Sequence, residues 1–161
     1  MSEFITSDNV FTDQPETSRL DVIHAISKRA KELGIADDVD AVEKAFLWRE
    51  EQCNTGTEDG FAIPHAKTNA INYASVIVYK TKEALEWPSF DGKPVDISIA
   101  LLVPADEAGT THIQLLSKTA LLLMEPDFRE FVRNSNDAEA IAERVAEGVN
   151  DLDEDEDDED E

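Results

Sequence analysis

The run "VDISIALLVPA", residues 95 to 105, limits the possible folds more than any other stretch of this chain. Its apolar residues continue for the length of a strand, and Pro104 stops them. A membrane span needs eighteen or more consecutive apolar residues, so the run reads as a strand and not a span. "YASVIVYKT", residues 73 to 81, is rich in β-branched and aromatic residues and predicts a second strand. "WPSFDGKP" is the loop between these two. Upstream, the turn chemistry of "NTGTEDG" leads into "FAIPHA", residues 61 to 66, a short third strand.

Helical periodicity brackets the strands. From Thr17, Leu20, Ile23, Ile26, Ala30 and Leu33 recur at three- and four-residue steps. Ser18 with Asp21 reads as the capping box of this helix, and Gly34 as its stop. A second helix is expected from about Asp38 to Gln52, with Val39, Val42 and Phe46 buried and Trp48, Arg49 and Glu50 near its end. After the linker "DEAGTT", a helix from about Thr111 to Met124 carries Ile113, Leu116, Ala120 and Leu123 as its stripe. Pro126 opens a shorter helix holding Phe128, Phe131 and Val132, and a last one runs from Asp137 to about Glu147 and stops at Gly148. Residues 1–16 read as a loose lead-in. Two helices, a group of strands and three helices predict an α/β (α+β) sandwich. A chain of 161 residues suits one domain. We place it at residues 1–148, with residues 149–161 expected to be a disordered acidic tail.

The net charge is −23. Ten acids lie in the final "DLDEDEDDEDE"; taking them from the 37 leaves 27 acids against 14 bases, still −13. The acid is therefore spread over the folded body as well as the tail. At about 1 M salt the Debye length falls to about 3 Å and screens such self-repulsion, so a halophilic source is expected. Nucleic acid is excluded as a partner, because its phosphates would be repelled. The first residues lack a basic segment followed by an apolar one, and Cys53 is the lone cysteine. These features predict a cytoplasmic protein with no membrane insertion.

The chemistry centres on histidine. His24 lies inside the first helix and reads as a packed or half-exposed helical residue. His65 and His112 sit at element ends beside loops, where sites are commonly built. Pro64 fixes its own φ and holds Ile63 extended, leaving the His65 backbone little freedom. The chain has no His-x-His, cysteine pair or His-Glu-x-x-His, so no metal site is expected. It has no Gly-x-Ser-x-Gly elbow and no phosphate-binding glycine loop of nucleotide enzymes, and no cofactor is expected. A histidine nucleophile remains. If a backbone carbonyl or hydroxyl holds one ring proton, the other nitrogen faces outward and is free to attack. Arg49 is the leading candidate to grip an arriving phosphoryl group through its planar fork.

"RE", "TGTEDGFAIPHA", "FDGKPVDISIALLVPA", "THIQLLSKTALLL" and "EPDFREFV" occur in order along the chain. Together they resemble the enzyme IIA component of the phosphoenolpyruvate-dependent sugar phosphotransferase system, in its fructose/mannitol and nitrogen-regulatory class. The positions that fit its site pattern are Arg49, Glu50, Thr55, Gly56, Gly60, Ala62, Ile63, Pro64, His65 and Ala66, where Ala66 replaces the commoner glycine. The resemblance implies a central mixed β-sheet flanked by helices on both faces. It implies that His65 takes a phosphoryl group from the carrier protein HPr and passes it to a cysteine of enzyme IIB, and through it to the membrane enzyme IIC. Arg49 and His112 would hold the phosphoryl oxygens. Fructose uptake is the expected role, with a regulatory enzyme IIA as the alternative. Contacts with the carrier are expected to be apolar, with Phe61 among them.

Overall fold

The computed structural model describes residues 4–107 and 113–160. The central apolar run forms β5 (Val95–Val103), beside β4 (Ser75–Leu85), to which it is antiparallel. β5 is apolar on both faces because both faces are covered. Ile97, Ile99, Leu101 and Val103 enter one core cluster with Leu115, Phe128 and Val145, while Ala100 and Leu102 enter another with Ile23, Val42 and Phe46. Each fully buried aliphatic side chain contributes about 1.5–3 kcal/mol, so this strand anchors both halves of the core.

The two helices of the second cluster start where expected, the first at its capping box and the second at Asp38. α1 (Arg19–Glu32) begins after Ser18, whose hydroxyl accepts from the Asp21 amide at 3.1 Å. α2 (Val39–Gln52) begins after Asp38, whose carboxylate accepts from the Ala41 amide at 3.2 Å. Gly34 follows α1 at φ +80°, a conformation that favours glycine. Val42 and Phe46 are buried, whereas Val39 is only half-buried.

Several expectations need correction. The lead-in contains a strand, β1 (Val10–Gln14), parallel to β4 at the sheet edge. Its sequence, "VFTDQ", is too polar to signal a strand alone, and a register shift between Phe11 and Gln14 further obscures the alternation. In α3 (Ile113–Leu123) the buried side is Leu115, Lys118, Thr119, Leu122 and Leu123, while Ile113 and Ala120 are exposed. Of the expected stripe Leu123 is buried and Leu116 packs half-buried against the core, so the buried face is rotated from the expected one towards Leu115, Thr119 and Leu122. After α4 (Pro126–Asn134), α5 (Ala138–Asp160) does not stop at Gly148. A Cβ at Gly148 would lie 2.4 Å from the Leu122 methyls, so this glycine lets α5 approach α3 closely instead of ending the helix.

"FAIPHA" also differs from one short strand. It forms β2 (Phe61–Ala62) and β3 (His65–Lys67), both parallel to β5. Phe61 pairs with Ile97 and His65 with Leu101, the same offset, so the two are halves of one edge strand interrupted at Ile63–Pro64. The sheet order is β1-β4-β5-β2, with β3 also on β5, and α1 and α2 cover one face while α3, α4 and α5 cover the other. This is the mixed sheet between helical layers that the family resemblance implies, and it agrees with the α/β (α+β) sandwich expected from the element order. Among the described residues no helix is long and apolar enough to cross a membrane.

Candidate active site

The break in the edge strand produces the site. Pro64 turns its carbonyl towards β5, where the Leu101 amide donates to it at 2.9 Å. It has no N–H to return to the ladder, so pairing lapses there. Ile63 faces the opposite way. Its amide donates to the Thr55 carbonyl at 2.9 Å, and its carbonyl, on the open side of the sheet, is not claimed by β5. That carbonyl lies 2.9 Å from Nδ1 of His65.

The other ring nitrogen meets α2. Arg49 Nε donates to His65 Nε2 at 2.7 Å, while Arg49 Nη1 donates to the Cys53 carbonyl at 2.6 Å. A guanidinium N–H can only donate, so Nε2 must offer its lone pair. The ring proton of the neutral imidazole is therefore on Nδ1, donated to Ile63. The nitrogen that keeps a lone pair is thus fixed as Nε2 although His65 is only 3% exposed. Arg49 is itself half-buried on the last turn of α2 and tied to that helix's C-cap residue.

The neighbours hold this pair in place. Glu50 is buried, and its carboxylate accepts from both the amide (3.4 Å) and the hydroxyl of Thr55. Arg19 approaches the same carboxylate at 3.8 Å. Glu50 thereby fixes Thr55, whose carbonyl in turn holds Ile63. Further round the loop, Gly60 has φ +82°, and a Cβ there would meet Arg133 and Asp96 within 2.8 Å. Arg133 bonds both Asp96 oxygens and the Asp59 carbonyl, and Arg129 pairs with Asp59 at 3.0 Å. α4 thus clamps the glycine loop onto the sheet.

His65 and Arg49 open into a surface hollow of about 360 Å³ lined also by Ala41, Lys44, Ala45, Trp48, Lys67 and Thr68. Lys44 and Lys67 were not singled out from sequence. The available signals were that Lys67 lies two residues beyond His65 on one strand, and that Ala41, Lys44, Ala45 and Trp48 share one helical face. Trp48 is 58% exposed and supplies the apolar rim. Phe61 does not: it is fully buried beneath Arg133, whose guanidinium lies 5.4 Å from the ring centroid. The expectation of a carrier contact is corrected by the pleat: Phe61 points into the core beside Leu115, Phe128 and Val145, while Ala62 points to the opposite face. His24 is half-exposed and bonds Glu43 at 2.7 Å, away from the hollow. His112 lies outside the described residues. Among the described residues, no three His, Cys, Asp or Glu side chains are grouped to hold a metal ion.

Comparison with known proteins converges on one family. The model of "Phosphoenolpyruvate-dependent sugar phosphotransferase system, EIIA 2" matches residues 3–148. A fructose-specific EIIA component of Haloferax volcanii is 32% identical over 137 residues, spanning 85% of this chain and 88% of that protein. A nitrogen regulatory protein of Klebsiella oxytoca is 33% identical over 135 residues, spanning 83% and 80%. The crystal structure of the nitrogen regulatory protein IIA-Ntr from Neisseria meningitidis superposes with a TM-score of 0.81 at 24% identity, covering 88% of this chain and 96% of that one.

Proposed function

Because the chain belongs to the EIIA 2 family of the phosphoenolpyruvate-dependent sugar phosphotransferase system, we propose that it is a phosphocarrier whose His65 accepts a phosphoryl group from phospho-HPr and gives it to a cysteine of enzyme IIB. The role is fructose uptake, as the name of the Haloferax relative indicates for that protein. One observation carries the reading: the lone pair of Nε2 is presented to Arg49 while Nδ1–H is tied to the Ile63 carbonyl.

The step follows from that arrangement. The lone pair on Nε2 forms the new N–P bond as the N–P bond of the carrier's phosphohistidine breaks, and that electron pair returns to the carrier's ring. The proton stays on Nδ1, donated to the Ile63 carbonyl, and that bond stabilises the positive charge the ring acquires. Arg49 gives up Nε2 and turns its fork to the phosphoryl oxygens, with His112 as a second donor. Transfer between two nitrogens is nearly balanced, so alignment and charge stabilisation supply most of the rate. In the second half the cysteine thiolate of enzyme IIB attacks phosphorus and the pair returns to Nε2.

The test is incubation with phosphoenolpyruvate, enzyme I and HPr. Label should enter the chain, survive base and be lost in acid, and the His65→Ala variant should take up none. Equal labelling of that variant would sink the proposal. A second reading, a regulatory enzyme IIA, is favoured by the 33% identity to the Klebsiella protein. Chasing the label onto enzyme IIB separates the two, since the regulatory form retains it.

A further inference from the structure

Every other hollow described on this surface mixes charge. The one beside α1 includes Glu16, Asp21 and Glu32 with Lys28 and Arg29; the one beside Trp87 includes Glu86 with Lys93; the one on α5 includes Glu143 and Glu147 with Arg144. The His65 hollow alone among these has cations and no carboxylate, in a chain carrying 37 acids and 14 bases. Its charged and titratable groups are Lys44 and Arg49 from α2 and His65 and Lys67 from β3. Lys44 and Lys67 are exposed, and neither makes an ion pair or side-chain hydrogen bond among the described residues. Three like charges around one histidine repel one another, and a surface this acidic had many ways to neutralise them. A phosphoryl group on Nε2 brings up to two negative charges, whereas Arg49 supplies one positive charge.

We propose that Lys44 and Lys67 are phosphoryl-binding residues, closing with Arg49 on the oxygens of the group carried by His65. The inference rests on the phosphocarrier reading and adds two contacts to it. When His65 is bare, the lysines extend into solvent. When it is charged, their ammonium groups move in as point charges beside the fork of Arg49. They stabilise the dianion over the monoanion, which holds down the second ionisation of the phosphoryl group.

The experiment needs no protein partner. The full chain is phosphorylated with phosphoramidate: its N–P bond breaks, ammonia leaves and the group passes to Nε2. The phosphorus resonance is then titrated by NMR for wild type, Lys44→Gln, Lys67→Gln, the double variant and Lys28→Gln, which makes the same charge change in the hollow beside α1. Each hollow substitution should raise the phosphoryl pKa by about 0.6 of a pH unit, and the double variant by about twice that. Lys28→Gln should move it by less than a fifth as much. At about 1 M salt, where the Debye length is about 3 Å, a retained difference requires direct contact. Shifts no larger than those of Lys28→Gln overturn the inference and leave the phosphocarrier reading intact. A chain that takes up no phosphoryl group overturns both. Circular dichroism of each variant checks the fold, which exposed lysines do not support.

Discussion

Arg49→Lys keeps the charge at the site and removes its geometry. In the resting site two nitrogens of one planar group bond two acceptors, His65 Nε2 at 2.7 Å and the Cys53 carbonyl at 2.6 Å. An ammonium can reach either acceptor but cannot hold both along fixed directions, so the variant loses a charge-assisted bond worth about 1.5–3 kcal/mol. If that bond passes to the phosphoryl oxygens in the transition state, each 1.36 kcal/mol lost slows transfer tenfold, and the expected deficit is about 10–150-fold. The assay is single-turnover uptake of label from saturating phospho-HPr. The loss should fall on the rate constant and not on the half-saturating concentration, because the free partner surface is unchanged. The resting structure also supports an opposite expectation: Arg49 occupies the lone pair that attacks in the proposed step, so a purely masking arginine would make the variant faster. A rate equal to or above wild type, with the fold intact, refutes the assignment of Arg49 to the transition state.

Three further outcomes follow from the same contacts. Glu50→Ala leaves the buried Thr55 amide and hydroxyl without their acceptor, at a cost of about 1–3 kcal/mol; thermal unfolding should show a fall of several degrees, smaller in Glu50→Gln, and an unchanged midpoint would remove Glu50 from the scaffold. Gly56→Ala places a Cβ 2.2 Å from the Pro88 carbonyl oxygen, a backbone atom that cannot turn aside, and should destabilise by about 1–3 kcal/mol in denaturant titration. Burial and the hydrogen bond to Glu16 raise the Tyr79 pKa above its ordinary value near 10. The folded chain then keeps a proton the unfolded chain has released, so stability should fall by about 1.4 kcal/mol per pH unit above pH ~10. Comparing unfolding free energies of wild type and Tyr79→Phe from pH 9 to 11 checks the sign: the variant should lack this component, and parallel curves would contradict it.

Whatever depends on neighbours a few residues away was legible in the sequence. Ser18 and Asp38 cap α1 and α2 through bonds spanning three residues, and β5 announces itself because a strand covered on both faces needs no alternation. What was hidden depends on contacts distant in the chain. β1 is a strand because the β4 edge lies beside it, and Gly148 reads as a helix stop until Leu122 is seen against it. The site divides in the same way. Pro64 marks His65 from the sequence, yet the effect of Pro64 is not simply to stiffen the next residue. By withholding one N–H from β5, it lapses the ladder while the register is kept on either side. The edge position leaves the Ile63 carbonyl facing away from β5, within reach of the ring that follows. An edge strand normally needs protection against pairing with another chain. Here the exposed carbonyl is covered by the histidine's own Nδ1–H, so one bond both blunts the edge and fixes the tautomer. The same bond needs His65 on the outermost strand and not on β5: inside the sheet, the carbonyl that sets its ring proton would already be bonded to a neighbouring amide.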